Sequence, residues 1–216
     1  MNIKQNENQQ NKDKDVEDSQ FDRGIKFLTE SDLDLATVIE RFGKPPQWKR
    51  EPGFATLIRI ILEQQVSLSS AKAAFERLCN AVDSVTPQSF ILLDDTKLKA
   101  IGFSRQKTRY GRELAQAIIN SQLDLNSLEK LDDLEIRKRL TQIKGIGDWT
   151  VDMYLMMALQ RLDVFPSKDL AVAIAIKEIK SLDTRPKAAE LESIALPWKP
   201  YRAIATKILW HYYLNR

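Results

Sequence analysis

Leu140-Thr141-Gln142-Ile143-Lys144-Gly145-Ile146-Gly147-Asp148-Trp149-Thr150 is the stretch on which the reading of this chain turns. Apolar residues at helical spacing lead into it and out of it, and two glycines stand between them with one residue separating them. Two helices therefore meet at a short turn. Glycine reaches positive φ without a β-carbon clash and lets another backbone come close. Such a turn can aim successive N–H groups at a phosphate, with the positive end of the following helix dipole behind them. This is a way to hold a nucleic-acid backbone without reading its bases. Taken alone, Gly-x-Gly is more often a packing corner, with Gly145 ending one helix in the left-handed region and Gly147 relieving crowding.

Outward from the hairpin the pattern stays helical. From Phe21 onward apolar residues recur every three or four positions, and period-two alternation is scarce. The chain is expected to be all-α. Helices are predicted at Asp32 to Phe42, Gly53 to Gln64, Ser69 to Val82, Ser104 to Asn120, Asp132 to Gln142, Asp148 to Gln160, Asp169 to Leu182 and Pro200 to Leu214. Ser104 and Asp132 are predicted N-caps, with Glu135 three residues after Asp132 to return a bond. Prolines 45, 46, 87, 166, 186 and 197 fall between these stretches, where they do least damage. Residues 1 to 20 hold almost no large apolar side chain beyond Ile3 and Val16, so they are expected to form a disordered polar tail.

Composition narrows the classes further. With 216 residues, 43% hydrophobic and 29% charged, the chain can bury its own core. The net charge of +3 is a weak argument for a nucleic-acid partner by itself. Its distribution matters more, since Lys99 to Arg112 and the end of the chain lean basic. A single cysteine, Cys79, excludes an internal disulfide, an all-cysteine zinc site and a cysteine-ligated iron–sulfur cluster within one chain. No apolar run is long enough to span a bilayer, and no membrane partner is expected. The cytosol is the natural compartment, on the nucleoid in a bacterium or in the nucleus of a eukaryote.

Twenty positions beyond Trp149 stands Asp169, in the run Val164-Phe165-Pro166-Ser167-Lys168-Asp169-Leu170-Ala171-Val172. A carboxylate at the start of an apolar helix is commonly an N-cap. With the hairpin, the glycine pair, the aromatic after the turn and the Phe-Pro approach, however, the pattern resembles the helix-hairpin-helix DNA glycosylase superfamily. Ile61-Leu62-Glu63-Gln64-Gln65-Val66-Ser67 resembles its upstream helix and strand-probing loop, Gly102-Phe103-Ser104-Arg105-Gln106-Lys107 another of its segments, and Trp198-Lys199-Pro200-Tyr201-Arg202 with Trp210 the closing helix of its 3-methyladenine branch. The likeness runs from about Phe54 to Trp210. It departs in a short N-terminus, without the extra domain of some relatives, and in Glu63, where relatives often carry a small residue.

The resemblance implies two intertwined helical subdomains, one roughly 67–165 and the other formed by 21–66 and 166–216, with an active-site cleft between them. It implies that a damaged base in double-stranded DNA is rotated out of the helix. The amides near Gly145, Gly147 and Thr150, with Lys144 nearby, would grip the backbone, and Gln65, or else Gln64, would fill the gap. Carbonyls of Thr141, Ile143 and Ile146 would hold a monovalent cation, Na+ or K+; no other cofactor is expected. Asp169 would stabilise the positive charge that develops on the sugar. Strand-cutting members use a lysine after the residue equivalent to Asp148; here it is Trp149, so hydrolysis without strand cleavage is expected. Trp149 and Trp210 offer faces to a cationic, alkylated base, with Tyr154 and Tyr201 as weaker pocket candidates.

The implied activity is release of alkylated bases of the 3-methyladenine and 7-methylguanine type, by a monomer acting in base excision repair. Two rivals stand beside it: an enzyme of the same superfamily for oxidised or mismatched bases, and a non-catalytic module that uses the hairpin for phosphate contact alone. Other features have ordinary explanations. His211 reads as a packing or surface residue, and Met153, Met156 and Met157 read as core. Asp148 and Asp152 are expected to face solvent or cap the second hairpin helix. Arg105, Lys107, Arg109 and Arg112 fit either a solvated helix face or phosphate contacts.

Overall fold

The computed structural model describes residues 20–216; the expected tail at 1–20 lies, but for its last residue, outside them. The described residues are helical, without strands. In chain order they form α1 (20–31), α2 (Leu33–Phe42), α3 (Phe54–Glu63), α4 (Leu68–Ala81), α5 (Pro87–Leu92), α6 (Asp95–Ile101) and α7 (Arg105–Ile119). A 3-10 turn at Leu125–Lys130 leads to α8 (Asp133–Leu140), α9 (Asp148–Met157), α10 (Leu170–Ile179) and α11 (Ala188–Ala195). A second 3-10 turn, Leu196–Trp198, precedes α12 (Arg202–Asn215). None is long and apolar enough to cross a membrane.

All eight predicted helices are present, most of them a residue or more shorter than expected. The predicted caps hold in part. Ser104 accepts the Lys107 N–H and Asp132 accepts the Glu135 N–H, at 3.2 and 2.8 Å. The Glu135 carboxylate, however, goes to Arg139 Nε at 2.8 Å, so an i,i+4 ion pair takes the group expected to complete the cap.

The helices fall into two compact units, named by sequence position: Trp48–Arg161 is the inner unit, and the described residues up to Gln47 with Leu162–Arg216 are the terminal unit. The expected boundaries near 67 and 165 are therefore displaced. α3 belongs to the inner unit because it packs on α4, α7 and α9. It buries Leu57, Ile58, Ile60, Ile61 and Leu62 almost completely, each worth about 1.5–3 kcal/mol relative to exposure. Phe90 joins this core, meeting Phe54 and Phe103 edge-on at 5.8 and 5.4 Å. α9 is buried from Thr150 to Met157 on every side, as an all-round apolar helix must be. That run includes Met153, Met156 and Met157, which are core as expected.

The terminal unit is held by α12 packing on α10 and α2. Trp198 is fully buried, edge-on to Phe165, and its indole N–H donates to Asp32 Oδ2 at 2.9 Å. Lys180 bridges Asp32 and Asp34 at 3.0 and 2.8 Å. Burial opposes the charged form of Asp32, but the Trp198 and Lys180 donors outweigh it and hold the carboxyl below its ordinary value. His211 is a packing residue whose ring Nε2 meets the Phe42 carbonyl at 2.9 Å.

Candidate functional site: hairpin, probing loop and carboxylate

α8 ends at Leu140, and the chain turns tightly. Ile143 N–H donates to the Leu140 carbonyl, and Ile146 N–H to that of Ile143, at 3.1 and 3.0 Å. Gly145 has φ +93, and a β-carbon built there would fall 2.0 Å from Tyr110 Cγ. Only glycine fits, because the Tyr110 ring of α7 occupies the space a side chain would need. Gly147 differs. Its backbone is extended (φ −103, ψ −179), and a β-carbon there would meet nothing within 4 Å. Relief of crowding is therefore no reason for glycine at 147. As N-cap of α9, Gly147 also supplies no side-chain acceptor to the first turn of the helix.

The hairpin helices are clamped by Arg137 of α8, whose guanidinium reaches Asp152 and, at 3.5 Å, Asp148. Asp152 was expected at the surface or as a cap; it is buried, and the ion pair is what permits that. Lys144 and Thr141 are exposed on the turn, Ile143 and Trp149 are half-buried, and Ile146 is buried. Thr150 is buried too.

Gln64 and Gln65 diverge. Gln64 Nε2 donates to the Gly145 carbonyl and to Thr150 Oγ1, both at 2.9 Å. The side chain proposed as second choice for a plug is thus a strut of the hairpin. Gln65 is exposed, with φ +56, a left-handed conformation uncommon for a residue with a side chain. Val66 and Leu68 beside it are exposed as well. Lys107, one of the basic residues left open between solvent and phosphate, instead donates Nζ to the Leu62 carbonyl at 2.7 Å near the end of α3. Burial pushes its ammonium below the ordinary lysine value. Arg112 likewise donates to the Ile91 and Leu93 carbonyls and Asp95. Glu63, the unusual residue before this loop, is matched by Arg50 in a two-pronged pair at 3.0 and 2.7 Å.

In the terminal unit, Phe165 and Pro166 lead into a turn closed by Asp169 N–H on the Pro166 carbonyl at 2.8 Å. Asp169 is the N-cap of α10, with Oδ1 accepting Val172 N–H at 3.0 Å. The same oxygen accepts the Trp210 indole N–H at 3.3 Å. Asp169 is only 8% exposed and Trp210 9%. The side chain is therefore both a cap and a buried group, with one oxygen held by two donors. Trp210, expected as a stacking wall, approaches Asp169 through its ring edge.

Two pocket candidates fare differently. Tyr154 is fully buried, burial raises its phenol above the usual value, and its oxygen accepts Gly53 N–H at 3.0 Å; it is a core residue rather than a wall open to a base. Tyr201 is half-buried, its ring 5.4 Å from that of Phe27. Among the described residues no group of three or more His, Cys, Asp or Glu could hold a metal ion.

The comparisons with known proteins agree with one another. The family described as HhH-GPD superfamily base excision DNA repair protein matches residues 58–200. The alkylbase DNA glycosidase-like protein mag2 of Schizosaccharomyces pombe is 30% identical over 201 residues, which span 89% of this chain and 94% of that protein. DNA-3-methyladenine glycosylase 1 of the same yeast is 33% identical over 166 residues, covering 75% and 72% of the two chains. Among solved structures, the S. pombe 3-methyladenine DNA glycosylase Mag1 in complex with abasic DNA superposes with a TM-score of 0.82 at 28% identity, over 87% of this chain and 95% of that one.

Proposed function

Because this chain belongs to the HhH-GPD superfamily of base excision DNA repair proteins, we propose that it is a DNA glycosylase that hydrolyses the N-glycosidic bond of alkylated bases, of the 3-methyladenine and 7-methylguanine type, in double-stranded DNA. The observation that carries this reading is Asp169: a buried carboxylate whose Oδ1 is fixed by the Val172 amide and the Trp210 indole. Breaking the bond between base and sugar leaves positive charge on the sugar. A negative group already oriented, and poorly solvated, stabilises that charge without having to reorganise. The same carboxylate can orient the water that completes hydrolysis.

The hairpin supports the DNA-binding half of the reading. Gly147 is glycine where the chain's own packing does not require it, at the N-terminus of α9 and beside exposed Lys144. A phosphate approaching the amides from Gly147 to Thr150 would need that room. Exposed Gln65 is the residue we assign to the space vacated by a flipped nucleotide. Trp149 occupies the position of the strand-cutting lysine, so an abasic site is left intact. The carbonyls of Thr141, Ile143 and Ile146 are neutral, hard oxygen donors. One lone pair of Ile143 is taken by Ile146 N–H, and we assign the remaining acceptor capacity of the three carbonyls to Na+ or K+. Such a cation would stiffen the turn. The protein is expected to act as a monomer wherever the cell keeps its DNA.

The test is release of free bases from methylated DNA by the purified protein, with Asp169→Asn in parallel. Wild type is expected to release 3-methyladenine and leave unbroken abasic strands, with Asp169→Asn slower by about 100- to 1,000-fold. Full activity in the variant would reduce Asp169 to a cap. DNA binding without release of any base would leave the hairpin as a non-catalytic binding module.

A further inference from the structure

Gln64 joins the two parts of the inner unit that the proposed function assigns to DNA. It is the C-cap of α3, with φ −60 and ψ 122, so the chain leaves the helix here in an extended direction. Its backbone N–H is used on the Ile61 carbonyl at 3.3 Å. Its side chain spends both amide hydrogens across a gap of more than eighty residues in sequence, on the Gly145 carbonyl and on Thr150 Oγ1. Gly145 is the left-handed turn residue of the hairpin, and Thr150 lies in the first turn of α9. The next residue, Gln65, stands at φ +56 on the exposed loop. A non-glycine residue in this region costs of order 1 kcal/mol or more and persists where its surroundings enforce it. The surroundings are explicit: Gln64 is tied to the hairpin on one side of the loop, and Lys107 holds the Leu62 carbonyl just before it.

We infer that Gln64 is a positioning residue that couples phosphate capture by the hairpin to insertion of the Gln65 loop into the DNA. The inference rests on the glycosylase reading above. When the hairpin amides take a phosphate, the Gly145 carbonyl and the Thr150 hydroxyl are fixed in place. The Gln64 bridge passes that restraint to the loop and keeps Gln65 aimed outward in its left-handed conformation. Without the bridge the hairpin still binds phosphates, but the loop samples the ordinary β and right-handed regions and probes the stack poorly. Gln64 itself touches no reacting atom.

Two variants test this in the full chain. Gln64→Met keeps the length of the side chain and removes both donors, and Thr150→Val removes one of the two acceptors at constant shape. The probes are an undamaged duplex, a duplex with a tetrahydrofuran abasic analogue beside 2-aminopurine, and methylated DNA under single-turnover conditions. Gln64→Met is expected to bind undamaged duplex within about twofold of wild type. It should lose the preference for the abasic duplex and the 2-aminopurine signal, and release base roughly tenfold to 100-fold more slowly, the scale of a misplacement at a distance from the chemistry. Thr150→Val should fall between the two. Equal loss of affinity for damaged and undamaged duplex would make the bridge a prop for folding and overturn the inference, as would an unchanged abasic preference in both variants. Wild type that releases no base and shows no abasic preference would instead overturn the glycosylase reading, and the coupling with it.

Discussion

The ring of Tyr110 lies directly against Gly145, so that a β-carbon on residue 145 would be 2.0 Å from Cγ and 2.3 Å from Cδ2 of that ring. The hairpin turn is thus shaped from within by α7, and the two glycines of the motif are glycines for different reasons. Gly145→Ala must push the ring aside and hold alanine at φ +93, and is expected to cost about 2–4 kcal/mol of folding stability. Gly147→Ala meets neither obstacle and should cost less than about 1 kcal/mol, yet weaken binding to duplexes of every sequence. Thermal melts alongside fluorescence anisotropy separate the effects. A strongly destabilised Gly147→Ala, or binding loss confined to certain sequences, would contradict this account.

Trp210 donates its indole N–H to the oxygen of Asp169 that also caps α10. Trp210→Phe keeps the aromatic bulk and deletes the donor. Base release should slow by about tenfold, consistent with loss of one hydrogen bond to a charged group, while the melting temperature moves by only a few degrees. A rate equal to wild type would show that the indole does not help orient the carboxylate.

Arg137 clamps the two hairpin helices through buried Asp152. Arg137→Met is expected to destabilise the protein by about 1–3 kcal/mol, less than for a fully enclosed pair because the arginine is about one-third exposed. Arg137→Lys, which keeps the charge but not the fork that meets Asp152 and Asp148, should fall between. Denaturant midpoints decide; equal midpoints for all three proteins would remove the clamp from the account.

Asp32 contributes to the acid limb of stability. Its carboxyl is held below its ordinary value in the folded protein, so the unfolded chain takes up the proton first as pH falls. The stabilisation is complete above the ordinary carboxylate range, about 4, and is lost progressively below it, through the lower folded value. Asp32→Asn should therefore be less stable than wild type at neutral pH and flatten the loss below pH 4. A variant whose acid transition matches that of wild type would assign the limb to other carboxylates.

How much of this was legible in the sequence follows from how local each feature is. Long helices with a continuous apolar period were readable, as were the Ser104 and Asp132 caps, since both lie within a few residues. The short helices α5 and α6 were missed, although Thr86 followed by Pro87, and Asp94 before Asp95, carry cap signals. Six or seven residues are too few for a period to show. α1 and α11 went unmarked as well. At the candidate site, the family resemblance marks Asp169 and the glycines, whose type and spacing alone fit an N-cap and a packing corner. The roles of Tyr110, Gln64 and Asp152 could not be read from the sequence, because each depends on a partner between 15 and 86 residues away and no local rule predicts such a meeting. Tyr154 was misjudged for a related reason: an aromatic on an all-round apolar helix looks the same whether it lines a pocket or fills a core.

Asp169 ends one turn, begins a helix and, in the proposed function, carries the charge through a single side chain. Among the residues that could replace it, asparagine caps a helix about as well and keeps the shape of the carboxylate without its charge. A variant carrying that substitution is therefore expected to stay folded and to hold damaged DNA while releasing base about 100- to 1,000-fold more slowly. Occupying a lesion while acting on it slowly, it is expected to compete with other proteins for that site, a competition that a protein unable to fold does not create.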